Sequence, residues 1–278
     1  MENETSLSEY GDLKPLTTSC SLSIVNIYLK DADSMFLYSV IFLTIHCITF
    51  LTAVAGNAVF LLAIWRTPSL HTPSNVLLSC LAFTDLLTGL ITQPSVIVEL
   101  SARIAKDYKT YCIAYLVNYF PCYILSGISF LTLTLISLDR FLALQLHLRY
   151  RAIITIPKYL AVEGAFVVLM TTVSIIPFIG TFFLFQIVIT CIISPCLCLS
   201  VMIYLTIARS IAKHESQIQT ETNLSVHLHG NAAEIERKKI KKSSKTMAAL
   251  FFIFCFCYTP TLVVMVALVV LGNSNVSR

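Results

Sequence analysis

Charged residues are scarce in this sequence. Asp, Glu, Lys and Arg make up 12% of its 278 residues, whereas 56% are hydrophobic and the mean hydropathy is +0.81. A soluble domain of this composition would have too little polar surface to cover itself, but lipid can cover a membrane protein. The composition therefore excludes a soluble protein and indicates a membrane protein.

The sequence patterns of enzymes are also missing. No nucleophile and base stand at motif spacing, no phosphate-binding loop is present, and the loops carry no His or Cys cluster with metal-ligand spacing. We therefore expect no enzymatic activity, no cofactor and no nucleic-acid partner. A sodium ion at Asp85 is the one exception, and it is considered below.

Uncharged stretches of about 20 residues recur along the chain, and each is long enough to cross the hydrocarbon core of a bilayer. They predict an all-α membrane protein in which the chain crosses the bilayer repeatedly. Six helical spans are predicted: Met35–Trp65, Asn75–Ile97, Cys112–Leu144, Tyr159–Ile179, Phe182–Ala208 and Met247–Leu271.

Basic residues favour one orientation of these spans, because short cytoplasmic loops collect Lys and Arg. With the N-terminus outside, 13 of the 19 Lys and Arg residues fall on the inner face. We predict a multi-pass plasma-membrane protein with an extracellular tail over residues 1–34, a bundle over 35–271 and a short outer end over 272–278. The third inner loop lies within 209–246. Asn3-Glu4-Thr5 is a glycosylation acceptor pattern that fits an external tail.

Three acidic residues lie at or within the predicted spans. Asp139 precedes Arg140 where the third span leaves the bilayer. Asp85 lies inside the second span, where a lone carboxyl costs several kcal/mol unless it is hydrated, paired or protonated. We expect Asp85 to be functional; the alternative is a protonated Asp85 bonded to Asn57 in a structural role. Glu163 lies just inside the fourth span, where we expect it to snorkel or to pair with a loop base, without a function.

Ordered motifs in five of the six spans resemble those of the rhodopsin-like (class A) G-protein-coupled receptors. Asp139-Arg140-Phe141 is similar to the Asp-Arg-Tyr of the third helix, and the Leu-Ala-Phe-Thr-Asp ending at Asp85 to the Leu-Ala-x-x-Asp of the second. Gly56-Asn57 is similar to the Gly-Asn of the first helix. The segment 254–260 resembles Phe-x-x-Cys-Trp-x-Pro, with Tyr258 in place of Trp. The resemblance implies a seven-transmembrane bundle of which six helices are present, since the seventh helix and its Asn-Pro-x-x-Tyr are not in this sequence.

The resemblance also implies a signalling mechanism. An extracellular ligand would bias a two-state bundle, and Asp139 would release Arg140 to engage a heterotrimeric G protein. Asp85 and Ser129 would bind sodium as an allosteric modulator within a polar core that includes Asn57. Phe141 would belong to the inner switch with Asp139 and Arg140. The connector between the ligand cavity and the inner face would consist of Phe130, Pro195 and Phe254. The hinge of helix six would consist of Tyr258 and Pro260.

The sequence identifies the residues that would contact the ligand less specifically than it identifies the inner switch. Asn118, Cys122 and Ser126 stand at i, i+4 and i+8 on one face of the third span, so they either line a cavity or make polar contacts between helices. Amine receptors have an Asp where Cys122 stands, so the resemblance implies an extracellular ligand other than a biogenic amine.

Two other functions fit part of the pattern. A six-span product that does not signal would modulate the trafficking of full-length receptors. A transporter would need inverted repeats or broken helices in corresponding positions, and the sequence has neither.

A disulfide between Cys20 and Cys112 is the first testable prediction. Class A receptors usually join the top of helix three to the second outer loop, but that loop has no Cys here, and Cys20 and Cys112 are the only cysteines expected in an oxidising compartment. Peptide mapping by mass spectrometry without reduction should find the two linked. Both thiols free would contradict the prediction.

Overall fold

The computed structural model describes residues 36–146, 150–179 and 182–224, together with the isolated positions Phe256, Thr259 and Val263. The described ranges contain helices and no strand. The helices are α1 (Phe36–Arg66), α2 (Pro73–Leu87), α3 (Gln93–Ile104), α4 (Tyr108–Leu146), α5 (Tyr150–Ile153), α6 (Ile156–Ile179) and α7 (Phe182–Leu224). A 3₁₀ turn at Pro68–Leu70 precedes α2, and a π-helical turn at Thr88–Thr92 joins α2 to α3.

Five helical stretches of the described chain are long and apolar enough to cross a membrane. Large apolar side chains such as Leu51 and Val59 are more than 60% exposed along them, which suits lipid contact and not water. The all-α membrane fold predicted from the sequence is therefore confirmed. The stretches are Phe36–Arg66, Pro73–Ile104, Lys109–Ala143, Ile156–Ile179 and Phe183–Arg209.

One predicted boundary needs correction. The second span extends to Ile104 instead of Ile97, because α3 continues through Glu99 and Arg103, which stand four residues apart and have opposite charge. The candidate spans Lys109–Ala143 and Phe183–Arg209 agree with the predicted Cys112–Leu144 and Phe182–Ala208 to within three residues, although helices α4 and α7 themselves extend beyond them. Apart from its three isolated positions, the sixth predicted span lies outside the described residues.

Asp107 determines where α4 begins. Its carboxylate accepts the backbone N–H of Thr110 (3.2 Å) and the Thr110 hydroxyl (2.6 Å), which satisfies a donor that the first helical turn leaves unpaired. These bonds to Thr110 hold the pKa of Asp107 below its usual value.

The π-helical turn follows from Pro94. Proline lacks a backbone N–H and its ring clashes with the carbonyl four residues back, so the preceding turn widens. The N–H of Gln93 accordingly bonds to the oxygen of Thr88, five residues back. The side chain of Gln93 then reaches α1, where its Oε1 lies 3.0 Å from Nδ1 of His46 and accepts the hydroxyl of Thr49 at 3.2 Å. Such polar contacts link helices inside a bilayer.

The chain divides into two compact units. The first contains the residues up to Ala55 and Leu87–Cys122, and the second contains Gly56–Leu86 and the chain from Tyr123 onward. In the first unit Gly89 lies so close to α1 that a Cβ would be 2.8 Å from Cγ2 of Val54.

The second unit has the larger core, which is formed by α4, α6 and α7. Phe185 is fully buried there and meets Tyr123 edge to face, with ring centroids 5.0 Å apart. The core side chains are Ile128, Phe130, Leu131, Met170, Val173, Phe185, Ile189 and Leu197. A glycine on α4, Gly127, allows Met170 to lie directly against the backbone.

The cysteines fall into two groups. Cys112 is disulfide-bonded, whereas Cys47, Cys80, Cys122, Cys191, Cys196 and Cys198 are free thiols. Cys20, the predicted partner of Cys112, lies outside the described residues, so the pairing of the two stays a prediction.

Gly127 and Gly164 provide a matched test of the α4 and α6 packing. A Cβ at Gly127 would overlap Cε of Met170 and lie 2.9 Å from its Sδ, whereas nothing lies within 4 Å of one at Gly164. We expect Gly127→Ala to lower the free energy of unfolding by about 1–3 kcal/mol through overpacking. Gly164→Ala should be neutral or stabilising by up to about 1 kcal/mol, because Ala favours the helix. Denaturation of the purified chain in bicelles measures both, and equal values would contradict the packing.

Candidate functional site

Asp139 is the centre of a buried cluster in the second unit. Its side chain is 1% exposed and accepts hydrogen bonds from three hydroxyl groups, each on a different helix. Ser74 on α2 donates to Oδ2 at 2.8 Å, and Tyr150 on α5 and Tyr159 on α6 each donate to Oδ1 at 2.5 Å. A carboxylate buried in this way needs such donors, because burial without them costs several kcal/mol.

The sequence around each member explains its position. Ser74 lies in the first turn of α2, just after the 3₁₀ turn, and Tyr159 lies one turn into α6. An apolar core adjoins the cluster and packs α2, α4 and α6 together. It is formed by Leu77, Ile136 and Tyr159. Burial and the bond to Asp139 raise the pKa of Tyr150, so its phenol remains a donor.

Arg140 contacts Asp139 only loosely. Its Nε lies 3.6 Å from Oδ2 of Asp139, beyond hydrogen-bond distance, and its side chain is 32% exposed. Phe141 is half-buried beside them. The sequence predicts the Asp139–Arg140 contact but not the three hydroxyl donors, which come from other helices.

Asp85 forms a second polar cluster in the same unit. The hydroxyl of Ser129 on α4 lies 3.2 Å from Oδ1 of Asp85 and 2.9 Å from Oγ1 of Thr84, which in turn donates to the backbone oxygen of Leu81. The structure thus brings Asp85 and Ser129 together, while Asn57 is half-buried on α1. Carboxylate and hydroxyl oxygens suit a hard cation, so these two residues fit a sodium site. No group of three or more His, Cys, Asp or Glu side chains that could hold a metal ion occurs among the described residues.

Glu163 corrects an expectation. It does not snorkel, because it is 7% exposed, and its hydrogen-bond partner among the described residues is Thr132, whose Oγ1 lies 2.9 Å from Oε2. The expectation was wrong because Glu163 lies on the side of α6 that packs against α4.

The sequence does not point to Glu99, because Glu99 lies beyond Ile97, the predicted end of the second span. In the first unit the amide nitrogen of Asn118 lies 3.5 Å from Oε2 of Glu99, and Cys122 is close enough to interact electrostatically with that carboxyl. Two of the three predicted cavity residues therefore adjoin an acidic group. Ser126, the third, is exposed.

The predicted connector is only partly described. Phe130 is buried in the core of the second unit, whereas Pro195 is exposed on α7. Phe254, Tyr258 and Pro260 lie outside the described residues, as does Asn3.

Comparison with known proteins gives one family. Residues 56–182 match the family described as "7 transmembrane receptor (rhodopsin family)". The chain is 29% identical over 130 residues to adenosine receptor A2b of Rattus norvegicus, which is 46% of this chain and 37% of that receptor. It is 36% identical over 132 residues to histamine H2 receptor of Cavia porcellus, or 47% of this chain and 35% of the receptor. It is 38% identical over 103 residues to olfactory receptor 51V1 of Homo sapiens, or 36% of this chain and 30% of that protein.

These matches confirm the resemblance that the motifs indicated. The relatives are receptors and not enzymes, which agrees with the expectation of no enzymatic activity. The chain spans between 30% and 37% of the length of these curated relatives.

Removal of the Tyr159 hydroxyl tests the Asp139 cluster. We expect Tyr159→Phe to lower the free energy of unfolding by about 1.5–3 kcal/mol, since it deletes a hydrogen bond to a buried carboxylate. Tyr204→Phe is the control, because the hydroxyl of Tyr204 accepts a hydrogen bond from the uncharged side chain of Ser137 at 3.2 Å. This substitution should cost about 0.5–1.5 kcal/mol.

A double-mutant cycle tests whether the stability lost in Tyr159→Phe comes from the hydrogen bond to the Asp139 carboxylate. In the Asp139→Asn background the Tyr159→Phe penalty should shrink, whereas the Tyr204→Phe penalty should not change. A Tyr159→Phe penalty that is independent of Asp139 would contradict the cluster.

Proposed function

We propose that this chain, a relative of the rhodopsin-like (class A) G-protein-coupled receptors, senses an extracellular ligand and signals to heterotrimeric G proteins. The observation that carries the proposal is the buried Asp139 beside the half-exposed Arg140 near the end of a membrane-spanning helix. Both residues lie within the segment that matches the receptor family.

The geometry of the Asp139 cluster supports a switch role for Arg140. Three hydroxyl groups already stabilise the carboxylate of Asp139, so that carboxylate does not depend on Arg140 for its partners. A partly exposed ion pair at 3.6 Å is worth about 1 kcal/mol or less. Arg140 can therefore leave Asp139 at low cost and contact a protein partner on the cytoplasmic side.

The Asp85 cluster supports an allosteric role inside the bundle. The carboxyl of Asp85 and the hydroxyl of Ser129 lie together within the membrane-spanning part, where an ion with oxygen ligands would be shielded from water. Sodium bound there would stabilise the arrangement in which α2 and α4 share these oxygens. A ligand that favours another arrangement would then compete with sodium.

The orientation follows from the distribution of basic residues. An extracellular N-terminus places Arg140 and the basic segment before the sixth predicted span in the cytoplasm, where the G protein is. The protein is a multi-pass membrane protein, and we assign it to the plasma membrane because the ligand is extracellular.

Raised basal signalling is the prediction that tests this function. Many class A receptors hold the arginine with an additional acidic residue at the foot of helix six, but Ile240 stands at that position here. In membranes carrying the chain at its full native length, agonist-free nucleotide exchange on heterotrimeric G proteins should exceed that of mock-transfected membranes. Arg140→Ala should remove the excess.

The control for this assay is Arg66→Ala, which removes an exposed basic residue at the end of α1. It should leave the excess exchange unchanged at equal surface expression. Exchange at the mock level, combined with a reduced surface level of co-expressed receptors, would instead support the role in trafficking.

A further inference from the structure

The carboxyl of Glu99 lies in a helical stretch that is long and apolar enough to cross a membrane, and the Asp139 switch does not use it. It is half-buried on α3, within the stretch Pro73–Ile104. A carboxyl at such a position is costly unless it has a partner, so its surroundings determine what it can bind.

The amide of Asn118 completes an acceptor-rich site. Asn118 is 9% exposed, and its nitrogen points to Oε2 of Glu99 at 3.5 Å. Its carbonyl oxygen, Oδ1, is buried and accepts no hydrogen bond from any residue in the described part of the chain. A buried acceptor without a donor costs about 1–3 kcal/mol, so a donor that reached it would be favoured.

Two further residues limit what the donor can be. Cys122 lies one helical turn after Asn118 on the same face of α4, so it borders the same site. Arg103, four residues after Glu99 on α3, also interacts with its carboxyl and partly offsets its charge. A cationic ligand would therefore compete with Arg103 for Glu99.

We propose that Glu99 and Asn118 form a recognition site for an ammonium or guanidinium group of the extracellular ligand. The carboxylate supplies the charge and the Asn118 oxygen accepts an additional N–H bond, which a cation with several N–H donors can make at the same time. This inference rests on the proposed receptor function. It also revises the expectation that the ligand is not an amine, because α3 supplies the carboxyl that is missing at Cys122.

The test uses 2-phenylethylamine, which is an ammonium ion at neutral pH, and 2-phenylethanol, a neutral molecule of similar shape. The purified full chain in lipid nanodiscs is titrated with each, and the concentration that gives half of the maximal shift in unfolding temperature is measured. We expect the amine to bind at least about tenfold more tightly than the alcohol, as hydrogen bonds to a charged group require.

Two substitutions should move this preference in opposite directions. Glu99→Gln keeps the shape of the side chain and should abolish the preference for the amine. Arg103→Gln removes the competing cation and should increase it. Asp107→Asn, which removes an exposed acidic group at the start of α4, is the control and should leave it unchanged.

Equal binding of amine and alcohol, or an amine preference that survives Glu99→Gln, would overturn the inference. The outcome is separable from that of the receptor function, because the binding measurement needs no G protein. Binding that depends on Glu99 without Arg140-dependent nucleotide exchange would refute the signalling proposal alone. Exchange that depends on Arg140 without an amine preference would refute the ligand class alone.

Discussion

The pairing of polar groups inside a hydrocarbon environment is the constraint on which this structure depends. Lipid offers no hydrogen bonds, so a carboxyl, amide or hydroxyl within the spans is stabilised when it finds a partner on another helix or on its own backbone. The described contacts follow this rule at Asp85, Glu99, Asp139 and Glu163. Because each partner lies on a different helix, satisfying these groups also determines which helices are neighbours.

Helix α4 supplies the neutral partner for three of these acidic groups. Asn118 meets Glu99, Ser129 meets Asp85 and Thr132 meets Glu163, and in each case the carboxyl comes from another helix. The opposite holds at Asp139, where α4 provides the carboxylate and three other helices provide hydroxyl groups. In the second unit α4 therefore connects α2, α6 and α7, with apolar packing such as Met170 against Gly127 filling the spaces between polar contacts.

The parts of this arrangement that the sequence predicted are those that depend on local pattern. Apolar length predicted five described spans, and the motif around Asp85 predicted its contact with Ser129. The donors to Asp139 were not predictable in this way, since Ser74 is 65 residues from Asp139 in the chain and only the folded bundle brings them together. Glu99 was missed because its charge interrupts the apolar stretch, although α3 continues. The depth of Glu163 was misjudged because sequence position does not reveal which side of a helix faces a neighbour.

The clusters differ in whether each hydrogen bond to a carboxyl has a hydroxyl proton of its own, and they differ in rigidity for that reason. Ser74, Tyr150 and Tyr159 each have their own proton to donate, so all three bonds to Asp139 can exist at once. The single proton of Thr132 has two acceptors within reach, the backbone oxygen of Ile128 at 2.8 Å and Oε2 of Glu163 at 2.9 Å. Ser129 lies between Thr84 and Asp85, and either hydroxyl of the Ser129–Thr84 pair can donate. The hydroxyl groups of these two clusters can therefore change hydrogen-bond partners by rotation, so the contact of the carboxyl can change without loss of the fold. The Asp139 cluster is consequently the fixed point near which Arg140 can move, and the interior clusters are where a change in proton or ion occupancy alters the helix contacts.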